Sequence, residues 1–125
     1  MSIAALTYVS DLMASLSIPY AFMEWKENTP EDYYFVGQYT ENTMVNRPEN
    51  GRQDITFYLR GFTRKDWLFL EQAKEKIEKS AARTAILPNG HGIAVFYDGA
   101  SAVPTGDAEL KSIKINLTIQ EWMVN

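Results

Sequence analysis

The chain contains no cysteine, and this absence excludes several kinds of chemistry at once. Without thiols there is no disulfide framework, no cysteine nucleophile and no metal site built on cysteine. A chain of 125 residues is nevertheless long enough to bury a core that needs no covalent staples. By its length we expect residues 1–125 to form a single domain.

Histidine is nearly as scarce, since His91 is the only one in the chain. It lies in the turn 88–92 between two glycines, where we expect an exposed and solvated imidazole. A general base usually needs a partner that holds it in a pocket. The carboxylates of Asp98, Asp107 and Glu109 have a spacing that matches no calcium-binding loop. The sequence therefore predicts no catalytic residue, no metal site and no cofactor, and we do not expect an enzyme.

Long apolar runs are also absent, because none approaches the ~20 residues that a membrane helix needs. The first residues have no basic start and include Asp11, unlike a signal peptide. We therefore expect no association with a membrane. The net charge is −4 and the basic residues are scattered, which argues against a phosphate-binding surface over the whole domain.

Aromatic residues, in contrast, are abundant, with 3 Trp, 7 Tyr and 6 Phe. A small core has difficulty burying so many rings, and aromatic side chains are enriched at protein interfaces. We expect the surplus to include Tyr33, Tyr34, Tyr39, Tyr58 and Phe62. The alternative is that each of these rings packs beneath the helices, because tyrosine is intermediate in its tendency to be buried.

The clearest local pattern is the stretch 111–122, which reads KSIKINLTIQEW. Aliphatic residues from Ile113 to Ile119 alternate with polar ones, and a period of two is typical of a strand with one buried face. The alternation breaks at Glu121 and Trp122, which predicts a bulge or the end of strand pairing there. We expect the rest of the chain to cover the apolar face of this strand or to pair with its edges.

The remaining patterns predict two helices and five further strands. Apolar residues at spacings of three and four indicate a helix over 3–16. A capping-box pattern from Thr63 to Asp66 predicts that the second helix begins there and runs to about Ser80. Strands are predicted at 20–26, 33–41, 53–62, 84–87 and 93–97, with long loops at 42–52 and 98–107. This order predicts an α+β fold, with a mainly antiparallel sheet and two helices packed on one of its faces.

Four sequence segments resemble those of a family of small phage and prophage proteins from Gram-positive hosts, which are encoded among head–tail and tail genes. They are IPYAFMEW, YYFVGQYTE, WLFLEQAKEKIEK and VPTGDAELKSIKINLTIQEW, in this order over nearly the whole chain. The order of elements is also similar to that of the tail-terminator, or tail-completion, proteins of long non-contractile tails.

The resemblance implies a virion structural protein without catalytic activity, made in the host cytoplasm. Such proteins form a ring, usually of six subunits, that caps the tail tube, stops its polymerisation and joins it to the head connector, with DNA only as passing cargo. The expected interface residues are Tyr33, Tyr39, Tyr58 and Phe62, together with residues of the long loop (Met44, Val45 and Arg47). Two alternatives remain: another neck or tail component, and a non-catalytic protein-binding module.

Overall fold

The computed structural model describes residues 1–41 and 51–123. Its helices are α1 (Ile3–Ser15) and α2 (Leu68–Ser80). Its strands are β1 (Tyr20–Phe22), β2 (Tyr34–Glu41), β3 (Gln53–Thr63), β4 (Arg83–Ile86), β5 (Gly92–Val103) and β6 (Lys111–Trp122). The predicted loop residues 42–50, including Met44, Val45 and Arg47, lie outside the described part of the chain.

The strand with the clearest alternation, β6, lies near the centre of the sheet. The six strands are ordered β1-β2-β3-β6-β5-β4, and β6 pairs along its whole length with β3 on one side and β5 on the other. All neighbouring strands are antiparallel except β1 and β2, which are parallel. The predicted α+β fold with a mainly antiparallel sheet is therefore confirmed.

Both helices pack on the same face of the sheet, which we call the helix face. Its centre is formed by the odd-numbered side chains of β3 and β6, which are almost fully excluded from solvent. The buried stripe of α2 covers these residues with Leu70, Ala73 and Ile77. The stripe of α1 contributes Val9 and Met13 to the same cluster. Burial of a large aliphatic side chain stabilises a fold by roughly 1.5–3 kcal/mol, so this layer is the main source of stability.

The two helices begin differently. The Ser2 hydroxyl accepts a hydrogen bond from the amide of Ala5 at 3.1 Å, which satisfies one of the free donors at the start of α1. The predicted start of α2 directly after Thr63 is wrong, because Thr63 is the last residue of β3 and its hydroxyl donates to the Asp32 carbonyl at 2.6 Å. The N-cap position is Trp67, which makes no side-chain capping bond, and the Asp66 carboxylate just before it accepts from the amide of Leu68 at 2.9 Å.

Two strand ends also differ from the predictions. Strand β1 ends at Phe22 rather than at residue 26, because Met23 has a left-handed φ of 69° that turns the chain away. Strand β5 continues to Val103, whereas a loop was predicted from Asp98 onwards. The register with β6 shifts between Tyr97 and Gly99, so Asp98 is an extra residue that interrupts the pairing without ending it. A strand that resumes beyond such a bulge loses its simple alternation, which explains why the sequence pattern missed it.

The predicted break at the end of β6 is also wrong. Glu121 pairs with Ile93 and Gln53, and Trp122 pairs with Gly92, so the ladder continues without a shift. Trp122 lies on the face opposite the helices, and Gly92 leaves room for it, since a Cβ at Gly92 would meet the indole ring. The side-chain alternation therefore holds to the end of the strand, and Glu121 occupies a position on the helix face.

Candidate protein-interaction face

The sheet face opposite the helices is the leading candidate for a functional surface, and we call it the open face. No described helix covers it. Its centre consists of even-numbered residues of β2, β3 and β6, which are mostly half-buried by their neighbours on the sheet. Its larger side chains are Tyr34, Val36, Tyr58, Arg60, Phe62, Phe96, Lys114 and Trp122. Such a mixture of rings and cations is unlike the plain polar surface that an antiparallel sheet usually presents to water.

Three aromatic rings form a continuous line at one end of this face. Tyr34 stacks on Phe62 with the ring centres 5.3 Å apart, because these residues are directly opposite on β2 and β3. Trp25 also contacts Tyr34, edge-on, with the ring centres 6.1 Å apart. The indole N–H of Trp25 also donates to the Phe35 carbonyl at 3.3 Å, which holds the ring against the sheet. The line is therefore held in place before any partner binds.

Two cations lie over rings of the same face. The guanidinium carbon of Arg60 is 5.3 Å from the centre of the Phe62 ring. The ammonium group of Lys114 is 4.3 Å from the centre of the Tyr58 ring. Each such contact contributes only about 0.5–1 kcal/mol at an exposed site, so it orients the cation more than it stabilises the fold. The face therefore offers flat apolar area together with oriented positive charge.

The predicted interface residues do not form one patch. Tyr58 and Phe62 lie together on the open face, as described above. Tyr33 and Tyr39 lie on the helix face, where Tyr33 stacks on Phe69 at 5.6 Å and Tyr39 stacks on Phe22 at 5.9 Å. Both tyrosines pack against the buried core, as the alternative interpretation expected. For Tyr39, Tyr58 and Phe62 the parity of the residue in its strand decides between the two faces, whereas Tyr33 lies just before β2 and is placed by its contact with α2.

The open face also includes Trp25, Phe96 and Trp122, which the interface prediction omitted. Phe96 is 46% exposed. Phe96 and Trp122 pair with Thr118 and Gly92, so their faces follow from the register between β5 and β6. The alternation within β6 already indicated that Trp122 lies on the open face, because it has the same parity as the polar residues of that strand. Trp25 lies beyond the end of β1, where no strand pattern applies.

A buried ionic group lies at the opposite end of the sheet, on the helix face. The Glu121 carboxylate is only 5% exposed and accepts hydrogen bonds from the Ser2 hydroxyl at 2.9 Å and from His91 Nδ1 at 2.6 Å. Burial alone raises the pKa of Glu121, but hydrogen bonds from His91, Ser2 and Asn89 outweigh it and hold the pKa below its ordinary value. The expectation of a solvated His91 is therefore wrong. The group ties the start of α1, the 87–91 turn and β6 together.

The other acids singled out in the sequence have local partners. Asp98 accepts a hydrogen bond from the Thr118 hydroxyl, and Asp107 pairs with Arg64 at 3.1 Å. Asp107 also accepts from the amide of Glu109 at 3.0 Å, and these contacts lower the pKa of Asp107. Within residues 1–41 and 51–123, no three acidic or histidine side chains are grouped as metal ligands would be. No helix in the same residues is long and apolar enough to cross a membrane.

Comparison with known proteins shows the fold alone. The sequence matches no family profile and no curated protein. Fifteen chains of solved structures match the fold. One of them aligns with 98% of this chain and 93% of its own length, with a TM-score of 0.60 and 16% sequence identity. The name of that protein states no activity, and at this level of identity the likeness supports a shared architecture only.

Proposed function

We propose that this protein is a structural component of a phage virion at the head–tail junction. In this role it forms a ring, usually of six subunits, that caps the tail tube, stops its polymerisation and joins it to the head connector. The four resembling segments suggest this function, and the open face is the observation that supports it best. The protein is made in the host cytoplasm and acts in the virion, without a cofactor and with DNA only as passing cargo.

The open face suits a protein partner because of its residue types. Tyrosine, tryptophan, phenylalanine and arginine are enriched at protein interfaces, and the residues that dominate binding energy are mostly Trp, Tyr and Arg. The line of three rings, together with the cation over its last ring, consists of these types: Trp25, Tyr34, Phe62 and Arg60. Because the rings already contact one another, binding would order few side chains, and the entropy cost of association would be low.

The size of the molecule is compatible with a ring. Its solvent-accessible surface is 7391 Å². A ring subunit has two neighbours, and contacts of ~800 Å² with each would cover roughly a fifth of that surface. The open face then remains available for the tail tube or the connector, provided that the ring contacts use the edges of the sheet.

The test is a complementation assay with a phage that lacks this gene. The double variant Tyr58→Ala and Phe62→Ala removes two rings from the open face. The control Leu68→Ala removes a 58% exposed apolar side chain from α2, which covers the opposite face of the sheet. We expect the double variant to fold, as judged by circular dichroism, but to give overlong tails without heads. The Leu68 control should restore tails of normal length. Normal tails with the folded double variant would refute the proposed role of the open face.

A solution measurement distinguishes the ring from a binding module that acts as a monomer. Light scattering over a range of protein concentrations, with and without tail tubes, reports the mass of the species formed. The proposal predicts a ring-sized species at least in the presence of tubes. A stable monomer that never associates with itself or with tubes would favour the binding module.

A further inference from the structure

The two outer strands of the sheet, β1 and β4, are shorter than the strands with which they pair. At one end, β4 pairs only with Gly92–Val95 of β5. The second half of β5, which we call the β5 notch (Gly99–Val103), has β6 on one side and no described strand on the other. At the other end, β1 is the outermost strand, and its outer edge likewise has no strand partner within the described residues. Unpaired edges of this kind are templates for another strand.

Hydrogen bonds show which backbone groups of the notch point outward. The amide of Leu87 donates to the His91 carbonyl at 2.7 Å, so alternate residues from His91 to Val95 direct their backbone groups towards β4. The bulge at Asp98 reverses this parity. Beyond it, Gly99, Ser101 and Val103 face β6, and Ala100 and Ala102 direct their N–H and C=O groups outward.

The same reasoning applies to β1. The amide of Phe35 donates to the Pro19 carbonyl, and the amide of Met23 donates to the Gly37 carbonyl, both at 2.8 Å. In a parallel ladder this means that alternate residues, beginning with Pro19, face β2. Tyr20 and Phe22 therefore direct backbone groups away from the sheet. The Phe22 carbonyl also accepts from the amide of Glu24 at 2.8 Å, so a partner strand would use its second lone pair. The two outward residues of β1 have the same spacing as Ala100 and Ala102 in the notch.

We propose that neighbouring subunits join by placing β1 of one copy in the β5 notch of the next. In this joint Phe22 lies opposite Ala100 and Tyr20 lies opposite Ala102. The strand directions agree, because β1 is parallel to β2 and antiparallel to β5 when the sheet is followed across. A second copy set beside the first in the same orientation therefore presents β1 antiparallel to the notch. Such a head-to-tail contact repeats from copy to copy, and it forms a ring when the rotation between copies closes.

The side chains of the joint are complementary in size. Phe22 is 37% exposed on the helix face, where Ala100 and Ala102 are also exposed. A hollow of about 530 Å³ adjoins them, lined in part by Trp67, Ala102, Pro104 and Leu110. Small residues opposite large ones allow the two strands to approach closely. The Tyr20 ring stays packed over Gly37 and the Phe22 ring stacks on Tyr39, so only the exposed part of Phe22 is available to the neighbouring copy. The notch also contains no lysine or proline, the residues that commonly protect an exposed edge.

The joint deepens the proposed ring and rests on it, and cysteine crosslinking tests it directly because the chain has no cysteine of its own. Directly opposed residues of an antiparallel pair lie ~5.5 Å apart at Cα, within the range that a disulfide spans. We expect Phe22→Cys mixed with Ala100→Cys to form a disulfide-linked dimer under oxidation. The double variant should form a ladder that ends at the ring size. Thr84→Cys, on the outer edge of β4, is the matched control and should not crosslink to Phe22→Cys.

The outcomes separate the joint from the ring. Ring-sized particles without a Phe22–Ala100 crosslink would refute the joint and leave the proposed function intact. Disulfide dimers of Ala100→Cys alone, as the main product, would show that two notches pair with each other and would also refute the joint. Monomers that neither crosslink nor associate with tail tubes would refute both proposals. Ala100→Pro provides an independent check, since it removes an outward N–H and should abolish assembly without lowering the melting temperature.

Discussion

The substitution His91→Ala tests whether the buried Glu121 carboxylate depends on its partner. In the folded protein this carboxylate is 5% exposed and is held by His91 at 2.6 Å and by Ser2 at 2.9 Å. The alanine variant leaves the charge buried with the Ser2 hydroxyl and the weaker contact of Asn89. Losing one partner of a fully buried pair typically costs 3–5 kcal/mol. Because the His91 side chain is 35% exposed, water replaces part of the contact, and we expect a loss of about 1–3 kcal/mol.

The same group sets a pH dependence with a defined sign. The pKa of Glu121 is lower in the folded protein than its ordinary value, so the folded state favours the ionised carboxylate. Its contribution to stability is present above the ordinary glutamate pKa of about 4.3 and is lost as the pH falls through the folded pKa. Glu121→Gln should therefore make the free energy of unfolding less dependent on pH in the acid range, because the amide does not titrate.

The assay is urea unfolding of the parent, His91→Ala and Glu121→Gln at several pH values from neutral to acid. A loss of 1.4 kcal/mol is a tenfold change in the folding equilibrium, which the unfolding midpoint resolves easily. A His91→Ala variant as stable as the parent at neutral pH would refute the dependence of Glu121 on the imidazole. If Glu121→Gln left the pH dependence of the free energy of unfolding in the acid range unchanged, the titration assigned to Glu121 would be refuted.

Three further predictions concern the fold. Ile115→Asp places an unpaired charge at a fully buried position and should abolish folding, whereas Thr40→Asp on the exposed end of β2 should shift the melting temperature little; equal losses would refute the face assignment. Gly37→Val should destabilise strongly, because the Tyr20 ring lies where a Cβ would project; an unchanged melting temperature would refute that contact. Asp66→Ala should cost about 0.5–2 kcal/mol in thermal unfolding through loss of its hydrogen bond to the Leu68 amide at the start of α2, and a neutral result would refute a stabilising role for that bond.

The strands were predictable from the sequence wherever one side of the strand is buried and the other is exposed to solvent. The alternation from Ile113 to Ile119 corresponds to strand β6, whose apolar side chains point to the helix face. The stripe from Leu70 to Ile77 corresponds to the side of α2 that packs on it. Periodicity failed at Asp98, because a single extra residue changes the parity of everything that follows it. The capping-box pattern failed at Thr63, whose hydroxyl donates to the distant Asp32 carbonyl and accepts only from the amide of Lys65, before the helix begins.

The candidate surface was only half predictable for a related reason. The excess of aromatic residues indicated an interface, and parity within β3 places Tyr58 and Phe62 on one face. Tyr33 and Tyr39 could not be assigned in advance, because β2 carries rings of both parities and its register depends on β3. The pairing of His91 with Glu121 joins residues 30 positions apart, which no local pattern reports.

The most direct test of the central claim is negative-stain electron microscopy of the purified protein mixed with tail tubes. The proposal predicts ring-shaped density at one end of each tube and an arrest of tube elongation when tube subunits are added. Tubes with bare ends that continue to elongate in the presence of excess protein would contradict it.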